Sequence, residues 1–309
     1  MPPLRVGLCP SLTKEVLEAL NSAGVKTVVD FVCCNPESLA QKSSISYKVL
    51  LSIRKLLLAQ YSAFPINGTD LYDDVIRKAA ILPTGSDSLD NLLDGGVYTS
   101  EVTEIVGATA TGKTQFCLTL ASSVAMTTRQ NVLYIDSNGS FSAERVEDIM
   151  RERQLSDKGK ASAFSKIRCS LAFDIFEVIK CLEETRTAVV SGSDSFYVSL
   201  KLIILDSVAA VVSPILGGLQ TDGHSLMTHL GRILLTLSAD HALAIVVTNG
   251  VVQSDGGGTK PALGKYWVTV PHTRVMFHEN IASLVKSGKQ PLYSTSEFTI
   301  TDGGVTDVR

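Results

Sequence analysis

One eight-residue stretch limits the fold of this chain more than any other feature of its sequence. The stretch reads GATATGKT, occupies residues 107–114 and directly follows the apolar segment VTEIV. The segment KTQFCLTLASSVAM begins with the last two residues of this stretch, and its apolar spacing predicts a helix. A G-x-x-x-x-G-K-T loop between a strand and a helix is the pattern of a phosphate-binding loop. The order of these elements therefore predicts an α/β protein.

The residue types of this loop suit a nucleotide with a bound magnesium ion. Backbone N–H groups at a helix start favour an anion, the lysine reaches the β- and γ-phosphates, and the final hydroxyl binds Mg²⁺. We therefore predict Lys113 as a catalytic residue and Thr114 as a metal ligand. The predicted cofactor contacts are Gly107, Ala108, Thr109, Ala110, Thr111, Gly112, Lys113, Thr114 and Gln115.

A second apolar strand supplies the carboxylate that such a loop needs. The segment LKLIILDS, residues 200–207, is a continuous apolar run that ends in Asp206. Two further strand–helix units separate it from the phosphate loop. A carboxylate at the end of such a strand is the usual partner of the magnesium ion. Asp206 is therefore predicted as a metal ligand together with Thr114, and as a catalytic residue together with Lys113.

Apolar strands and helical stretches alternate through the rest of the chain after the linker. Near-continuous apolar runs such as NVLYID and ALAIVVTN indicate parallel strands that are covered on both faces. The segments HTRVMFHE and STSEFTITDGGV predict added antiparallel strands. The predicted fold class is α/β: a mostly parallel twisted sheet with helices on both faces, C-terminal antiparallel strands and a small N-terminal α-helical domain.

The first 60 residues have a different pattern from the sheet domain. SLTKEVLEALNSAG and YKVLLSIRKLLLAQY each place apolar residues on one helical face, which predicts a small bundle of about three to five helices. Residues 61–82 hold a proline, an Asn-Gly pair and a cluster of acids, as is typical of a linker. We therefore predict a helical domain at 1–60, a linker at 61–82 and the nucleotide-binding domain at 83–309.

Composition limits the partners and the compartment. The 28 basic and 31 acidic residues give a net charge of −3, so any DNA contact has to come from a local patch. The six cysteines form no C-x-x-C pair, which favours free thiols in a reducing compartment. The apolar runs are too short to cross a bilayer, and the N-terminus lacks a secretory signal pattern. These features predict a protein of the cytoplasm or nucleus.

Longer runs of the sequence resemble the RecA-like strand-exchange recombinases of eukaryotes and archaea. These runs are LPTGSDSLDNLLDGGVYTSEVTEIVGATATGKTQFCLTLA, YIDSNGSFSAERV and LIILDSVAAVVSP. The stretch LEALNSAGVKTVVDFVCCNPESLA is similar to that family's N-terminal helix-hairpin-helix domain. The resemblance implies ATP and Mg²⁺ as cofactors. It also implies that Arg145 stacks on the adenine, with a solvated helix residue as the alternative.

Within the family, the resemblance is to a recombination-mediator paralogue. It implies an ATP-binding subunit of a hetero-oligomer that binds single-stranded or branched DNA. Such a complex assists recombinase filament assembly in homologous recombination repair of double-strand breaks. The implied partners are the C paralogue and a shorter paralogue as direct neighbours, with the B paralogue in the same complex. The implied location is the nucleus, with a cytoplasmic pool.

Three alternatives stay open at this stage. One is a self-polymerising strand-exchange recombinase, one is a nucleotide-independent scaffold, and one is a RecA-like ATPase unrelated to recombination, such as a phosphotransferase. Lys113, Thr114 and Asp206 argue against a scaffold that ignores nucleotide.

Some positions depart from the family pattern. Asn138 stands where the family's catalytic glutamate polarises the attacking water, and general-base help is worth about 10²–10⁴-fold in rate. Gly250 replaces a glutamine that senses the γ-phosphate. Ser43 and Ser44 replace glycines whose backbone amides approach DNA, which argues against DNA binding by the small domain. The expected enzyme is at most a slow DNA-stimulated ATPase.

The resemblance also implies two DNA-binding loops. The first, residues 213–224, carries no positive charge. The second, residues 251–267, is rich in glycine and follows the fifth core strand; a flexible loop without a ligand is the alternative. Its basic side chains would meet phosphates and its aromatic rings would stack on bases. The predicted DNA contacts are Lys260, Lys265, Tyr266, Trp267 and Arg274.

The linker carries the predicted partner contacts Tyr61, Ala63 and Phe64. Recombinases of this family insert a phenylalanine, and an alanine three residues later, into the next protomer's sheet. The segment YSAFPIN lacks that spacing, yet an aromatic anchor before an extended apolar segment can add an edge strand to a dedicated neighbour. Lys286 and Lys289 fall in the segment that caps a neighbour's nucleotide, with a plain surface loop as the alternative.

Overall fold

The computed structural model describes residues 3–61, 65, 67–153, 156–192, 194–216, 222–254 and 257–308. The chain divides into two compact units, Met1–Asp74 and Val75–Arg309. The division lies within the segment 61–82 that the sequence predicts as a linker. The predicted partner contacts Ala63 and Phe64 lie outside the described residues.

The first unit is built of helices, and caps are present at the starts of the shorter ones. The helices are α1 (Lys14–Ser22), α2 (Val28–Cys33), α3 (Pro36–Ser43) and α4 (Tyr47–Tyr61). Thr13 and Thr27 accept hydrogen bonds from the first-turn backbone of α1 and α2, and Asp30 completes a capping box at α2. Their apolar faces form one core that includes Leu12, Leu20, Phe31, Leu39, Leu50, Ile53 and Leu57.

The turn between α3 and α4 keeps a backbone conformation that favours glycine, although two serines occupy it. Ser44 lies in the left-handed region with φ 57°. The hydroxyl of Ser43 donates to the carbonyl of Leu39 at 2.6 Å. The left-handed backbone conformation is therefore present in this turn, but with serine it has a steric cost that glycine would not have.

A helix, α5 (Gly68–Lys78), occupies much of the predicted linker. Asn67 caps it by accepting a hydrogen bond from the Thr69 N–H at 3.0 Å. An extended, strand-adding segment was expected here, and the helix forms instead because its apolar residues recur at helical spacing. The apolar side chains of this helix are exposed: Leu71 50%, Tyr72 65%, Val75 54% and Ile76 59%.

In its described residues, the second unit is built on an eight-stranded sheet. The strands are β3 (Val102–Gly107), β4 (Asn131–Asp136), β5 (Ile167–Leu171), β6 (Leu200–Asp206), β7 (Ala244–Asn249), β10 (Thr273–His278), β11 (Ile281–Lys286) and β12 (Thr295–Glu297). Their order across the sheet is β12-β11-β10-β3-β7-β6-β4-β5. The pairs from β10 through β3, β7, β6 and β4 to β5 are parallel. The predicted mostly parallel α/β fold is confirmed.

In the residues that the structure describes, three two-stranded ribbons accompany the main sheet. They are β1 (Ile81–Leu82) with β2 (Val97–Tyr98), β8 (Val251–Gln253) with β9 (Thr259–Pro261), and β13 (Thr299–Thr301) with β14 (Gly304–Thr306). The segment HTRVMFHE, predicted as antiparallel, forms β10, which runs parallel to β3 and antiparallel to β11. Its direction differs from the prediction because the long connection after β7 carries the chain back to the side of the sheet at which β7 and β3 begin. The strand β10 therefore runs in the same direction as β3.

Helices cover both faces of the sheet. They are α6 (Asp87–Leu92), α7 (Lys113–Ser123), α8 (Ala143–Glu152), α9 (Asp157–Phe164), α10 (Ile175–Ser191), α11 (Ser195–Val198), α12 (Val208–Val212) and α13 (Asp222–His241). A π-helical turn at Val124–Thr128 continues α7, and a 3₁₀ turn at Ser213–Ile215 follows α12. In the described part of the chain, no helix is both long and apolar enough to span a membrane.

Each core strand sends alternate side chains into two separate hydrophobic cores. In β6, Leu202 and Ile204 pack in the core that contains α7 and α8. Ile203 and Leu205 pack in the core that contains α10, α12 and α13. Burying each such side chain contributes roughly 1.5–3 kcal/mol, which explains why these strands are unbroken apolar runs.

Candidate functional site

The phosphate loop turns between the end of β3 and the start of α7. Gly112 precedes the helix with φ 92°, and a Cβ atom at Gly107 would lie 2.7 Å from the carbonyl oxygen of Phe277. Both positions therefore require glycine. Among the residues that the structure describes, none accepts a hydrogen bond from the backbone N–H groups of residues 108–112. These donors lie directly before the N-terminus of α7, and N–H groups in this arrangement bind phosphate.

The side chain of Lys113 folds back over the loop. Its Nζ donates to the carbonyl oxygens of Gly107 at 2.9 Å and Ala108 at 2.6 Å. Burial lowers the pKa of Lys113, and the nearby carboxylate of Asp206 opposes that shift. An anionic ligand would stabilise this half-buried ammonium group, because phosphate oxygens accept charge-assisted hydrogen bonds, which are stronger than those to carbonyl groups.

Asp206 lies buried at the end of β6 and accepts three hydrogen bonds from hydroxyl groups. Thr114 donates to its Oδ2 at 2.7 Å, Tyr134 donates to Oδ2 at 2.9 Å, and Thr248 donates to Oδ1 at 2.5 Å. Burial, together with the neighbouring Cys117 and Asp206, raises the pKa of Tyr134 well above its ordinary value, so its phenol stays a donor. The structure thus brings the two predicted metal ligands, Thr114 and Asp206, into direct contact. Hard oxygen donors of this kind suit Mg²⁺.

Asn138 lies two residues beyond the end of β4, at the same edge of the sheet as Asp206. The parallel pairing of β4 with β6 sets Asp136 opposite Asp206. The Asp136 carboxylate accepts hydrogen bonds from the N–H groups of Asn138 at 3.0 Å and Phe141 at 2.8 Å, and Gly139 turns the chain with φ 70°. The Asn138 residue is exposed. An amide here is able to orient a water molecule, but it cannot remove the proton.

Arg145 lies on α8 beside the phosphate loop. Its Nε donates to Gln115 Oε1 at 2.8 Å, Nη1 donates to the Asp302 carbonyl at 2.8 Å, and Nη2 donates to the Thr301 carbonyl at 2.5 Å. The structure therefore ties this side chain to α7 and to the β13–β14 turn, and the alternative of a solvated helix residue does not describe it. Arg145, Gln115 and the β13–β14 turn therefore lie together beside the phosphate loop.

A buried carboxylate in β3, that of Glu104, accepts hydrogen bonds from three side chains. Trp267 Nε1 and Asn249 Nδ2 each donate to its Oε1 at 2.8 Å, and Arg274 forms an ion pair with Oε2. Trp267 is 0% exposed and Arg274 is 7% exposed. The prediction that Trp267 and Arg274 contact DNA is therefore corrected. Burying the Glu104 charge requires donors, and these two side chains supply them inside the protein.

The other predicted DNA contacts, Lys260, Lys265 and Tyr266, are exposed. The Tyr266 ring packs edge-on against His224, with centroids 5.1 Å apart, and Lys265 Nζ lies 5.5 Å from the same ring. Tyr266 and one face of α13 enclose a groove of about 710 Å³. The groove, called here the α13 groove, is lined by His224, Ser225, Thr228, His229, Arg232 and Tyr266. None of these six side chains is acidic.

Comparison with known proteins identifies the family. A family model described as Rad51 matches residues 76–308, and one described as RAD51D, N-terminal domain, matches residues 1–60. The chain belongs to the Rad51 family. The predicted resemblance to a recombinase family is confirmed, and within that family the resemblance is to the D paralogue. Rad51-family membership places the chain among proteins of DNA repair and recombination, and this fold implies nucleotide binding with Mg²⁺.

Individual Rad51-family relatives are similar over most of their length. DNA repair protein RAD51 homolog 4 of Bos taurus is 49% identical over 281 residues, which cover 91% of this chain and 86% of the relative. The protein of the same name from Mus musculus is 44% identical over 300 residues, 93% of this chain and 91% of the relative. DNA repair and recombination protein RadA of Cenarchaeum symbiosum (strain A) is 28% identical over 320 residues, 96% of this chain and 76% of the relative.

Gly250, where the sequence departs from the Rad51-family pattern, follows β7 in open space. Apart from Gly250 itself and its two chain neighbours, no atom of the described residues lies within 4 Å of the position that a Cβ at Gly250 would take. The preceding residues of β7 are both fully buried, and their side chains contact protein carboxylates: Thr248 contacts Asp206, and Asn249 contacts Glu104. The glycine therefore reflects no lack of room for a side chain.

Lys286 and Lys289 lie away from the chain's own phosphate loop. Strand register places Lys286 opposite Arg274 at the start of β10, whereas Phe277 near its end lies opposite Gly107. Lys286 Nζ donates to the carbonyls of Val268 at 2.9 Å and Pro271 at 2.5 Å, and Lys289 Nζ pairs with Glu101 at 2.5 Å. Burial and the charge of Arg274 lower the pKa of Lys286. These lysines do not serve the Rad51-type loop of their own chain.

Some residues at the site were not singled out from the sequence. Tyr134 and Glu104 are the clearest cases. Tyr134 contacts Asp206, which was predicted without this partner, and Glu104 contacts Trp267 and Arg274, which were predicted to contact DNA. Glu104 carried a usable signal, because a lone acid inside the apolar run VTEIV needs a buried partner. The α13 groove carried none, because its histidines and Arg232 read as the solvated face of a helix.

Proposed function

We propose that this chain is an ATP-binding subunit of a hetero-oligomeric complex of recombinase paralogues. In that complex it binds DNA and assists assembly of the recombinase filament during homologous recombination repair of double-strand breaks, with slow ATP hydrolysis. Its proposed location is the nucleus, with a cytoplasmic pool. The observation that carries the proposal is the combination of a complete phosphate and magnesium site with asparagine at position 138.

The residues of the loop fit a magnesium-bound triphosphate. Lys113 and the N–H groups of residues 108–112 would hold the phosphate oxygens, and Thr114 and Asp206 would hold Mg²⁺. When bound, the ion neutralises charge on the β- and γ-phosphates. Gln115 and Arg145, which lie beside the β13–β14 turn, are proposed to contact the nucleotide, with Arg145 on its adenine.

Slow hydrolysis follows from the chemistry of the side chain that faces the attacking water. In this chain that side chain is Asn138, whose amide has no basic group to accept a proton. General-base catalysis contributes about 10²–10⁴-fold to rates. Without it, the site binds ATP but cleaves it slowly. Bound ATP then serves as a structural element of the assembly.

DNA binding is assigned to the α13 groove and the exposed part of the glycine-rich loop. Arg232, His224, His229 and Lys265 supply positive or hydrogen-bonding groups for phosphates, and the 54% exposed Tyr266 supplies a ring for base stacking. Among the described residues, the groove lining contains no acid, which supports a polyanionic ligand. Single-stranded DNA fits best, because its bases are free to stack.

Two exposed apolar surfaces support two direct neighbours, proposed as the C paralogue and the shorter paralogue. One surface is the apolar face of α5, which includes Leu71 and Val75. The other adjoins the edge strand β5, where Leu171, Phe173 and Phe176 are 61%, 58% and 63% exposed. In the described part of the sheet β5 pairs with β4 on one side, so its other side is open to an added strand.

Co-expression with the two neighbour paralogues tests this proposal. Val75→Asp on α5 and Phe173→Asp beside β5 should each remove one neighbour and leave the other, because each places a charge in a separate apolar contact. Val190→Asp, on a residue that is 71% exposed on α10, is the control and should retain both. Retention of both neighbours by both test variants would contradict the assignment.

The same preparation separates the proposal from its rivals. Lys113→Ala should weaken the assembly when ATP is present, because bound nucleotide is proposed to hold an interface closed. Full assembly by this variant would favour a nucleotide-independent scaffold. Filaments formed on single-stranded DNA by the lone chain would favour a self-polymerising recombinase.

A further inference from the structure

A pocket of about 460 Å³ lies between α9 and the π-helical turn that follows α7. Arg129 and Lys166 are part of its lining. Each of them lies just before a strand: β4 begins two residues after Arg129, and β5 begins one residue after Lys166. The nucleotide site lies where these parallel strands end, beside Asp206. The pocket, called here the α9 pocket, is therefore at the opposite end of the sheet from the nucleotide site.

The α9 pocket carries positive charge that its own lining does not compensate. In the described part of the chain, the side chains of Arg129 and Lys166 have no hydrogen-bond or ion-pair partner, and no acid lines the pocket. Lys160, which also lies on α9, pairs instead with Asp157 at 3.3 Å. A cleft lined by charge of one sign concentrates ions of the opposite sign. The lining therefore favours an anionic ligand.

The backbone holds both basic residues in defined positions. The Lys166 N–H donates to the Ala163 carbonyl at 3.0 Å, and the Lys166 carbonyl accepts a hydrogen bond from the Val132 N–H at 2.8 Å. Arg129 follows the π-helical turn with φ 57°, and the N–H of the next residue donates to the Thr128 hydroxyl at 3.3 Å. Only the two side chains have to be ordered when a ligand binds, which limits the entropic cost of binding.

The other residues that line the α9 pocket are small or apolar. Ala125 and Ala163 are 2% and 3% exposed, and Met126 and Gly159 also line the pocket. Ser162 adds a hydroxyl group. A phosphorylated side chain matches this lining, because its phosphate has a charge of about −1.5 to −2 and three strong acceptor oxygens. Its short carbon stem suits the apolar part of the pocket.

A single phosphate group fits the α9 pocket better than a nucleic acid does. A DNA strand carries one phosphate per nucleotide, and proteins that follow it use a groove with a series of basic side chains. The α9 pocket offers two basic side chains, Arg129 and Lys166. Two positive charges balance the charge of one phosphate monoester. Recognition of phosphorylated segments by such basic clusters is a recurring mode of peptide binding.

We propose that the α9 pocket binds one phosphorylated serine or threonine side chain of a partner protein. Arg129 and Lys166 donate to the phosphate oxygens, Ser162 donates a further hydrogen bond, and the apolar residues contact carbon atoms of the partner segment. Phosphorylation of the partner then controls its attachment to this end of the sheet. None of these residues belongs to the proposed nucleotide or DNA sites, so the inference stands apart from both.

Glycine-selective ¹⁵N labelling of the full chain tests this site and separates it from the phosphate loop. Gly159 lines the α9 pocket, whereas Gly107 and Gly112 belong to the phosphate loop. The probe is an acetylated, amidated peptide with one phosphoserine flanked by alanines. The Gly159 amide signal, assigned through Gly159→Ala, should shift saturably while those of Gly107 and Gly112 stay in place. No shift at Gly159 would overturn the inference and leave the proposed function intact.

Substitutions in the α9 pocket should weaken this peptide in a residue-specific way. Arg129→Gln and Lys166→Gln should each lower the affinity by about 10-fold or more, the usual contribution of a hydrogen bond to a charged group. Ser162→Asp should abolish binding, because it places a negative charge beside the phosphate. Lys158→Gln removes an exposed lysine of α9 that does not line the pocket, and this matched control should bind as before. Equal losses in Lys158→Gln and Lys166→Gln would overturn the inference.

Further probes at the Gly159 signal define the ligand. The same peptide with serine in place of phosphoserine should cause no shift. Inorganic phosphate should bind more weakly than the phosphorylated peptide, because it has no carbon atoms to contact the apolar residues. Equal affinities for phosphate and the phosphorylated peptide would overturn the assignment to a protein segment. Tighter binding of a single-stranded oligonucleotide at Gly159 would overturn it in favour of a nucleic acid.

Discussion

The hydroxyl of Thr114, at the start of α7, donates to the carboxylate of Asp206, at the end of β6, at 2.7 Å. The two residues come from different strand–helix units, and the sheet brings them together because β3 and β6 both pair with β7. The contact places the two expected magnesium ligands beside the loop whose lysine and backbone N–H groups suit a phosphate. The chain therefore has the side chains that a magnesium-bound nucleotide needs, and two of its departures from the family pattern, Asn138 and Gly250, follow strands β4 and β7 of the same sheet.

Replacing Lys113 by Ala should weaken ATP binding by roughly 10- to 150-fold. This range corresponds to the about 1.5–3 kcal/mol that a hydrogen bond to a charged group contributes. Calorimetric titration with ATP and Mg²⁺ measures it. Lys180→Ala, which removes an exposed lysine from α10, is the control and should bind as the unmodified chain does. Equal affinities for the two variants would show that Lys113 does not face the phosphates.

Replacing Asn138 by Glu should raise the turnover of ATP by up to about 10²–10⁴-fold, because a carboxylate accepts the proton of the attacking water. The Asn138 residue is exposed, so the change costs little stability. Phosphate release under saturating ATP measures it. Asn138→Gln matches the length of glutamate without its charge and should stay slow. A rate unchanged by Asn138→Glu would place the cause of slow hydrolysis elsewhere.

The parts of the site that were predictable are those in which function depends on local sequence. The phosphate loop, Lys113 and Asp206 follow from spacing and from strand ends. Trp267 and Arg274 were misassigned because their surroundings depend on Glu104, more than 160 residues away in the chain. An exposed aromatic ring and a buried one have the same sequence pattern in a glycine-rich segment. Only the long-range partner distinguishes them.

The fold shows the same division between local and long-range information. The helices of the first unit and the parallel core were predictable from periodicity and strand composition. The direction of β10 was not, because it is set by the path of the connection after β7 rather than by residues within the strand. The α5 helix was missed because Pro65 precedes it and the Asn67–Gly68 pair lies at its start. Both features are typical of a linker, and neither indicates how far the linker extends.

Ser44→Gly should stabilise the turn between α3 and α4 by about 0.5–1 kcal/mol, since glycine adopts the left-handed conformation without the strain that serine has at φ 57°. Hydrogen exchange of the α3 and α4 amides in the full chain measures the local free energy of opening. Ser43→Gly is the matched control. Ser43 is helical, so glycine there should lower protection by up to about 1 kcal/mol. Effects of the same sign would contradict the assigned backbone.

Asp307→Asn should lower the free energy of unfolding of the second unit by about 1 kcal/mol at neutral pH, the usual value of a helix cap. Asp307 accepts hydrogen bonds from the Ser86 hydroxyl at 2.6 Å and the Ser88 N–H at 2.9 Å, which ties the tail to the start of α6. Urea unfolding measures the change. Asp302→Asn is the control, because the hydrogen bond at that residue uses its backbone carbonyl.

The contribution of Asp307 should also depend on pH. Burial raises the pKa of this carboxyl, but hydrogen bonds from Ser86, Ser88 and Asp87 outweigh burial, and the net pKa is lowered. A carboxyl with a lowered folded-state pKa stabilises the protein above its unfolded pKa and loses that effect as the pH falls through the folded value. The difference between the unmodified chain and Asp307→Asn should therefore shrink below about pH 4. A difference that grew with acid would contradict this sign.

The most direct test of the central claim is to measure ATP binding and ATP turnover on the same purified chain, with and without single-stranded DNA. The account predicts saturable binding of ATP with Mg²⁺ and a turnover well under the ~1 s⁻¹ low end of ordinary enzymes, with at most modest stimulation by DNA. Rapid DNA-stimulated hydrolysis by the lone chain, with Asn138 in place, would contradict it.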